Sequence, residues 1–247
     1  MRYFIELSYD GTPFVGWQRQ PVGDSVQSCL EDALTILFRK PLSIVGAGRT
    51  DAGVHANQLF AHFDLDENVD QDSVFRLNKL LPKEIAVRNF FSVAQDAHAR
   101  FDAVSRCYRY QITTQKNPFL QKRSFQFSKN LDLDLMNQGA KILIGHKDFK
   151  CFSKSKTDVK NYICDIKHAY WQQNGSELFF FIQANRFLRY MVRAIVGSLI
   201  EVGLRKISIV DFKAIIASRD RSQAGYSVPA HGLYLEKVNY PNHIFAE

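Results

Sequence analysis

Twice along the chain the apolar pattern runs strand, helix, strand, strand, helix, strand, and that repetition restricts the fold more than any other feature. The opening strand, predicted over 2–9, alternates Tyr3, Ile5, Leu7 and Tyr9 with Arg2, Phe4, Glu6 and Ser8, the period of a half-buried strand. Asp10-Gly11 ends it with a turn signal. A helix is predicted over 25–39, with Val26, Cys29, Leu30, Ala33, Leu34, Leu37 and Phe38 on one face. Asp24 and Gln27 have the spacing of a capping box, and Pro41 stops the helix. Short strands over 43–47 and 58–64, a helix over 71–81 and a strand over 85–92 complete the half.

The second half repeats the order with a strand over 106–114, a helix over 133–144, strands over 162–171 and 178–184, and a long helix over 187–202. A further helix over 209–218, marked by Ser208 and Asp211, precedes a last strand over 233–238. Each half reads as a split βαβ unit. The expected fold is therefore α+β: two ferredoxin- or RRM-like domains with largely antiparallel sheets, over 1–104 and 105–247. A cleft between the halves is the natural place for an active site.

Charge narrows the partners. Lys and Arg total 32 against 25 Asp and Glu, a net charge of +7, which favours an anionic partner such as nucleic acid. Cys29, Cys107, Cys151 and Cys164 form no CxxC pair and have no His at zinc-ligand spacing, so they read as reduced and structural. The segment MRYFIELSYD carries Glu6 and Asp10 and does not read as the apolar core of a signal peptide. The longest apolar stretch, 187–202, is interrupted by Arg189, Arg193 and Glu201, which argues against a membrane span. A cytoplasmic protein is expected.

The segment from Gly46 to His55 sets one carboxylate, Asp51, among glycines, with Arg49 two residues before it. Taken alone, a glycine-flanked aspartate is more often a turn than a catalytic group. No phosphate-binding glycine pattern with a following Lys-Ser or Lys-Thr is present, which disfavours nucleotide triphosphate chemistry. No two histidines stand with carboxylates at a metal-ligand spacing, and His55 reads as a residue that holds the loop by hydrogen bonds.

Taken together, YDGTPFVGWQRQP (9–21), Ser25-Val26-Gln27 and GRTDAGVHA (48–56) are far more specific: the chain resembles the TruA family of tRNA pseudouridine synthases. The resemblance continues through Asn78-Lys79-Leu80-Leu81-Pro82, Ala99-Arg100-Phe101, Tyr108-Arg109-Tyr110, Phe187-Leu188 with Met191-Val192-Arg193 and Gly197, and Gly232-Leu233-Tyr234-Leu235. It covers essentially the whole chain and implies the pseudouridine synthase fold.

What the resemblance implies is an isomerisation that uses no cofactor, no nucleotide and no metal. The bond from ribose C1′ to uracil N1 breaks, the base rotates, and C1′ rejoins at C5. An ionised carboxylate can stabilise or attack an electron-poor C1′, as in glycoside hydrolysis. The family's aspartate carries over to Asp51, with covalent attachment and removal of a ribose proton both open. Burial favours the protonated form of a carboxyl group, so a cation must oppose it; Arg49 and Arg193 are the candidates.

Tyr108 matches the family's substrate-contacting tyrosine, and Leu233 the leucine on the other face of a flipped uracil. Gln18, Arg19 and Arg49 are candidates to hold the RNA backbone or displace the base. On an ideal helix Arg186, Arg189 and Arg193 share one face, and Gly197 leaves room beside them. The implied partner is tRNA, modified at nucleotides 38, 39 and 40 of the anticodon arm by a homodimer, with no membrane involved. The sequence departs from the family at Lys147, where histidine is usual, at His231, and in 157–164, which lacks an expected arginine.

Overall fold

A computed structural model describes residues 1–70, 72–155, 157 and 159–245. They form two compact units, one of residues 1–105 with the segment from Tyr234 onward, the other of Arg106–Leu233. Among the described residues no helix is long and apolar enough to cross a membrane.

The first unit contains β1 (Arg2–Tyr9), α1 (Val26–Phe38), β2 (Val45–Gly46), β3 (His55–Asp64), α2 (Asp72–Leu80) and β4 (Ile85–Val93). β1 pairs antiparallel with both β3 and β4, and β2 pairs antiparallel with β3, giving the order β4-β1-β3-β2 of a split βαβ unit. Its core is apolar in the predicted sense: Ile5 and Leu7 of β1, Leu30 and Leu34 of α1, Leu59 of β3 and Leu77 of α2 are buried. The capping box of α1 lies one residue later than Asp24 and Gln27. Ser25 accepts from the Ser28 N–H, and the Ser28 hydroxyl oxygen accepts from the Ser25 N–H. Gln27 instead donates to the buried Glu31 and to the Ile44 carbonyl. Gln71, the predicted first residue of the second helix, lies outside the described residues.

The second unit follows with β5 (Ser105–Thr113), β6 (Phe125–Gln126), α3 (Leu133–Ile144), β7 (Ile166–Asn174), β8 (Glu177–Ala184), α4 (Met191–Gly203) and α5 (Ile209–Ser218). β8 pairs antiparallel with both β5 and β7, and β6 adds parallel to β5. α5 begins at Ser208 and Asp211, the predicted start markers, and the two form a capping box. β7 starts at Ile166 rather than near 162 because the preceding residues pair elsewhere. The Phe149 N–H donates to the Tyr162 carbonyl at 3.1 Å and the Cys164 N–H to the Lys147 carbonyl at 2.9 Å.

α4 is buried nearly all round, from Met191 to Gly203, as a helix apolar on every face must be. It starts at Met191, four residues later than predicted, because Tyr190 has φ 67°, a left-handed conformation no helix can include. Arg186 and Arg189 therefore lie before the helix, and the single arginine face expected for them with Arg193 does not form. Nor does Gly197 leave room: a Cβ there would overlap the Tyr226 carbonyl oxygen, so glycine is what allows that backbone to lie against the helix.

β9 (Leu233–Asn239) pairs in parallel with β3 through His55 with Tyr234 and Ala56 with Leu235. That pairing places the segment from Tyr234 in the first unit, whereas the strand pattern assigns it to the 105–247 half. Tyr240 and Phe245 beyond it pack on Phe4 at ring distances of 5.4 and 5.9 Å. Phe4, predicted on the solvent face of β1, is fully buried as a result.

Candidate active site

The two motif segments of the first unit are built into each other. The chain after β1 turns at Asp10-Gly11 and runs back alongside the loop that carries Asp51. Gly16 bridges Asp51, the Trp17 N–H donates to the Thr50 carbonyl at 3.1 Å, and the buried Tyr9 and Thr50 hydroxyls meet at 2.8 Å. Gly16 has φ 114°, which only glycine tolerates well, and its missing Cβ leaves space for the Thr50 carbonyl. The Val54 N–H donates to the Asp51 carbonyl at 3.1 Å, so the carboxylate sits on a closed turn. Asp51 itself is half-buried and Arg49 is exposed.

His55 closes the far side of this turn. Its Nδ1 accepts from the Gly11 N–H at 3.1 Å, which puts the ring proton on Nε2. Asp10 Oδ1 is also 3.1 Å from that nitrogen, but an atom that accepts from Gly11 carries no proton for an ion pair. Asp10 Oδ1 instead accepts from the N–H and hydroxyl of Thr12. The His55 ring stacks on Tyr234 at 4.6 Å.

Gln18 and Arg19 follow Trp17 and are held against α1. Gln18 donates to Gln27, and Arg19 pairs with Glu31 at 2.9 Å and Asp32 at 2.8 Å. Those bonds raise the Arg19 guanidinium above its ordinary value, the Asp32 bond most.

The other predicted residues belong to the second unit. Tyr108 is a half-buried residue of β5, its ring edge-to-face with Phe187 at 5.1 Å. Tyr110, two residues on, is the packing tyrosine of this strand; it is fully buried and its hydroxyl donates to the Pro229 carbonyl at 2.8 Å. Burial pushes that hydroxyl well above the ordinary tyrosine range, which keeps it a donor. Leu233 is buried at the start of β9, and His231 is half-buried in the turn before it. Arg193, in the first turn of α4, donates from Nε to the Val228 carbonyl at 2.6 Å. Arg186 is half-buried and Arg189 exposed, both in the loop before α4. Lys147, one of the departures from the family pattern, is ion-paired with Asp165.

The structure thus joins Asp51 to the 9–17 segment, and Arg189 and Arg193 to Tyr190, whose ring they approach at 5.4 and 5.1 Å. Sequence reasoning overlooked Tyr9, Thr50 and Trp17 as supports of the loop, and Lys154 and Tyr190 near Arg193. The turn signal Asp10-Gly11 was the one local clue that the first strand feeds this loop. Among the described residues no group of three His, Cys, Asp or Glu is placed to hold a metal.

Residues 140–241 match a family model described as tRNA pseudouridine synthase. The chain is 51% identical to a tRNA pseudouridine synthase A of Parabacteroides distasonis over 247 residues, covering 99% of this chain and 98% of the relative. A protein of the same description from Bacteroides fragilis is also 51% identical, over 99% of this chain and 98% of the relative. One from Exiguobacterium sibiricum is 37% identical, over 97% of each.

Proposed function

The chain belongs to the tRNA pseudouridine synthase A family, and we propose that it isomerises uridine to pseudouridine at nucleotides 38, 39 and 40 of the tRNA anticodon stem-loop, with Asp51 acting at ribose C1′. The enzyme is an isomerase acting on tRNA. The C1′–N1 bond breaks, uracil turns, and C1′ bonds to C5. C5 then gives up its proton and N1 takes one, so the base keeps its composition.

The observation that carries the role of Asp51 is the loop itself. Its carboxylate stands on a turn pinned by Gly16, Trp17 and Tyr9 on one side and by His55 on the other. A catalytic group held this firmly is placed before substrate arrives, which is where much of the rate advantage of a fixed site originates.

The remaining roles rest on the family pattern. Tyr108 and Leu233 hold the faces of the flipped uracil, Arg193 supplies the charge that keeps Asp51 ionised, and exposed Arg49 meets the RNA. Arg186 and Arg189 contact the RNA backbone. Gln18 and Arg19 do so only by exchanging their bonds to α1. The enzyme works in the cytoplasm as a homodimer, one subunit holding tRNA for the other's site, and needs no cofactor.

The test is to incubate the purified protein with an unmodified tRNA transcript carrying uridine at 38, 39 and 40, in excess chelator, and to map pseudouridine. Product at those nucleotides is expected. Absence of product overturns the reading, and product confined to other nucleotides overturns the assignment of position.

A further inference from the structure

Phe119 is the most exposed large apolar side chain among the described residues, at 84%. Single apolar side chains are ordinary on a surface, but a fixed turn holds this one out. Pro118 locks its own φ, the Asn117 side chain accepts from the Phe119 N–H at 3.0 Å, and the Asn117 carbonyl accepts from the Leu120 N–H at 3.2 Å. The Leu120 carbonyl in turn accepts from the Arg123 and Ser124 N–H groups, each at 3.0 Å, before β6 joins β5. Other exposed phenylalanines have partners: Lys79 lies 5.2 Å from the Phe75 ring, and His98 packs on Phe101 at 4.3 Å. Among the described residues the Phe119 ring meets no other ring and no cation. Its surroundings are positive: from Ala103 to Leu131 the chain carries six Lys and Arg residues and no Asp or Glu. Two of them, Lys116 and Lys122, stand three residues to either side of Phe119. Both are exposed, and among the described residues neither is in an ion pair. Glu177, which faces Thr113 at the foot of the turn, is engaged by Gln111. Three residues span at most about 10 Å, comparable with the screening length of about 8 Å, so both lysines act on whatever rests on the ring.

We propose that Phe119 is a stacking platform for an unpaired base of the bound tRNA, with Lys116 and Lys122 drawing the phosphates beside it. This rests on the tRNA reading above. An exposed ring flanked by cations matches nucleic acid on both counts: a base stacks on the ring and phosphates answer the charge. A second copy of this chain fits less well, because a symmetric contact would bring the same positive segment against itself. Every base has a π-face, so the platform reads no sequence. The turn is formed in advance, and stacking therefore has to order only the RNA.

The experiment measures binding of unmodified tRNA across a range of potassium chloride, and the mass of the free protein by sedimentation. The proteins compared are the wild type, Phe119→Ala, Phe119→Leu, Phe119→Trp and a variant combining Lys116→Gln with Lys122→Gln. Phe119→Ala should weaken binding by about tenfold and leave the slope of log K against log salt unchanged, because the ring carries no charge. Phe119→Leu should weaken binding nearly as much, since it keeps apolar bulk without a π-face, and Phe119→Trp should bind at least as tightly as the wild type. The lysine variant should lower the slope by about 1–2, as loss of two phosphate contacts demands. The proposal is overturned if Phe119→Ala or Phe119→Leu binds as the wild type does, or if the lysine variant keeps the wild-type slope. It is equally overturned if Phe119→Ala changes the mass of the free protein, which would mark a contact between copies. A wild type that neither binds nor converts tRNA overturns the reading beneath it instead.

Discussion

The hydroxyls of Tyr9 and Thr50 meet at 2.8 Å in the interior, joining the end of the first strand to the residue before Asp51. Through this contact the sheet of the first unit holds the loop that carries the carboxylate. Tyr9→Phe removes one partner and leaves a buried hydroxyl to find another, which costs about 1–2 kcal/mol. Thermal unfolding should register that loss. Single-turnover pseudouridine formation should slow by roughly tenfold, since small displacements of a fixed catalytic group are expensive in rate.

Gly16 bridges Asp51 through the backbone and Gly48 stands three residues before it, and the two should respond differently to alanine. A Cβ on Gly16 would stand 2.7 Å from the Thr50 carbonyl oxygen on a backbone with φ 114°, whereas one on Gly48 meets nothing within 4 Å. Gly16→Ala should destabilise by about 1–3 kcal/mol or more from backbone strain alone. Gly48→Ala should change stability by less than about 1 kcal/mol. Chemical denaturation of the two variants makes the comparison.

Acid should weaken the first unit through His62. Burial, with the nearby charges of His98 and Arg2, pushes this imidazole down to about 4. Its Nδ1 accepts from the Ala99 N–H at 3.1 Å, and His98 Nδ1 likewise accepts from the N–H groups of Arg100 and Phe101. Between the ordinary value of 6.5 and about 4 the unfolded chain takes up a proton that the native chain refuses. Stability contributed by neutral His62 is therefore complete above pH 6.5 and falls as pH drops toward 4, by about 1–2 kcal/mol once solvent screening is allowed for. Asp64, held below the ordinary carboxylate range by its bond to Arg2, adds a loss only at lower pH. His62→Asn keeps an acceptor for Ala99 and removes the titration. Its melting temperature should vary less than the wild type's between pH 6.5 and 4, and an unchanged pH profile would contradict this origin of the acid sensitivity.

Much of this structure was legible from local pattern. The helices over 133–144 and 209–218 match the sequence reading residue for residue, the first because its apolar period is strong and the second because Ser208 and Asp211 mark its start with a capping box. Asp51 was singled out through motif resemblance, and its glycine setting alone suggested only a turn. What escaped depends on contacts distant in sequence. The left-handed backbone of Tyr190, which detaches Arg186 and Arg189 from α4, has no sequence signature in a tyrosine. The parallel pairing of Tyr234 with His55 joins residues 179 positions apart, and periodicity along one strand carries no information about its partner. Phe4 was misplaced on the solvent face for the same reason, since its cover comes from Tyr240 and Phe245.

Asp51→Asn keeps the size of the side chain and removes its charge, so it separates chemistry from binding. Pseudouridine formation on unmodified tRNA should fall below detection while the dissociation constant for tRNA stays within about threefold of the wild type, a change of under about 1 kcal/mol. A variant that still makes pseudouridine at a rate near the wild type's would contradict the assignment of Asp51 as the catalytic carboxylate.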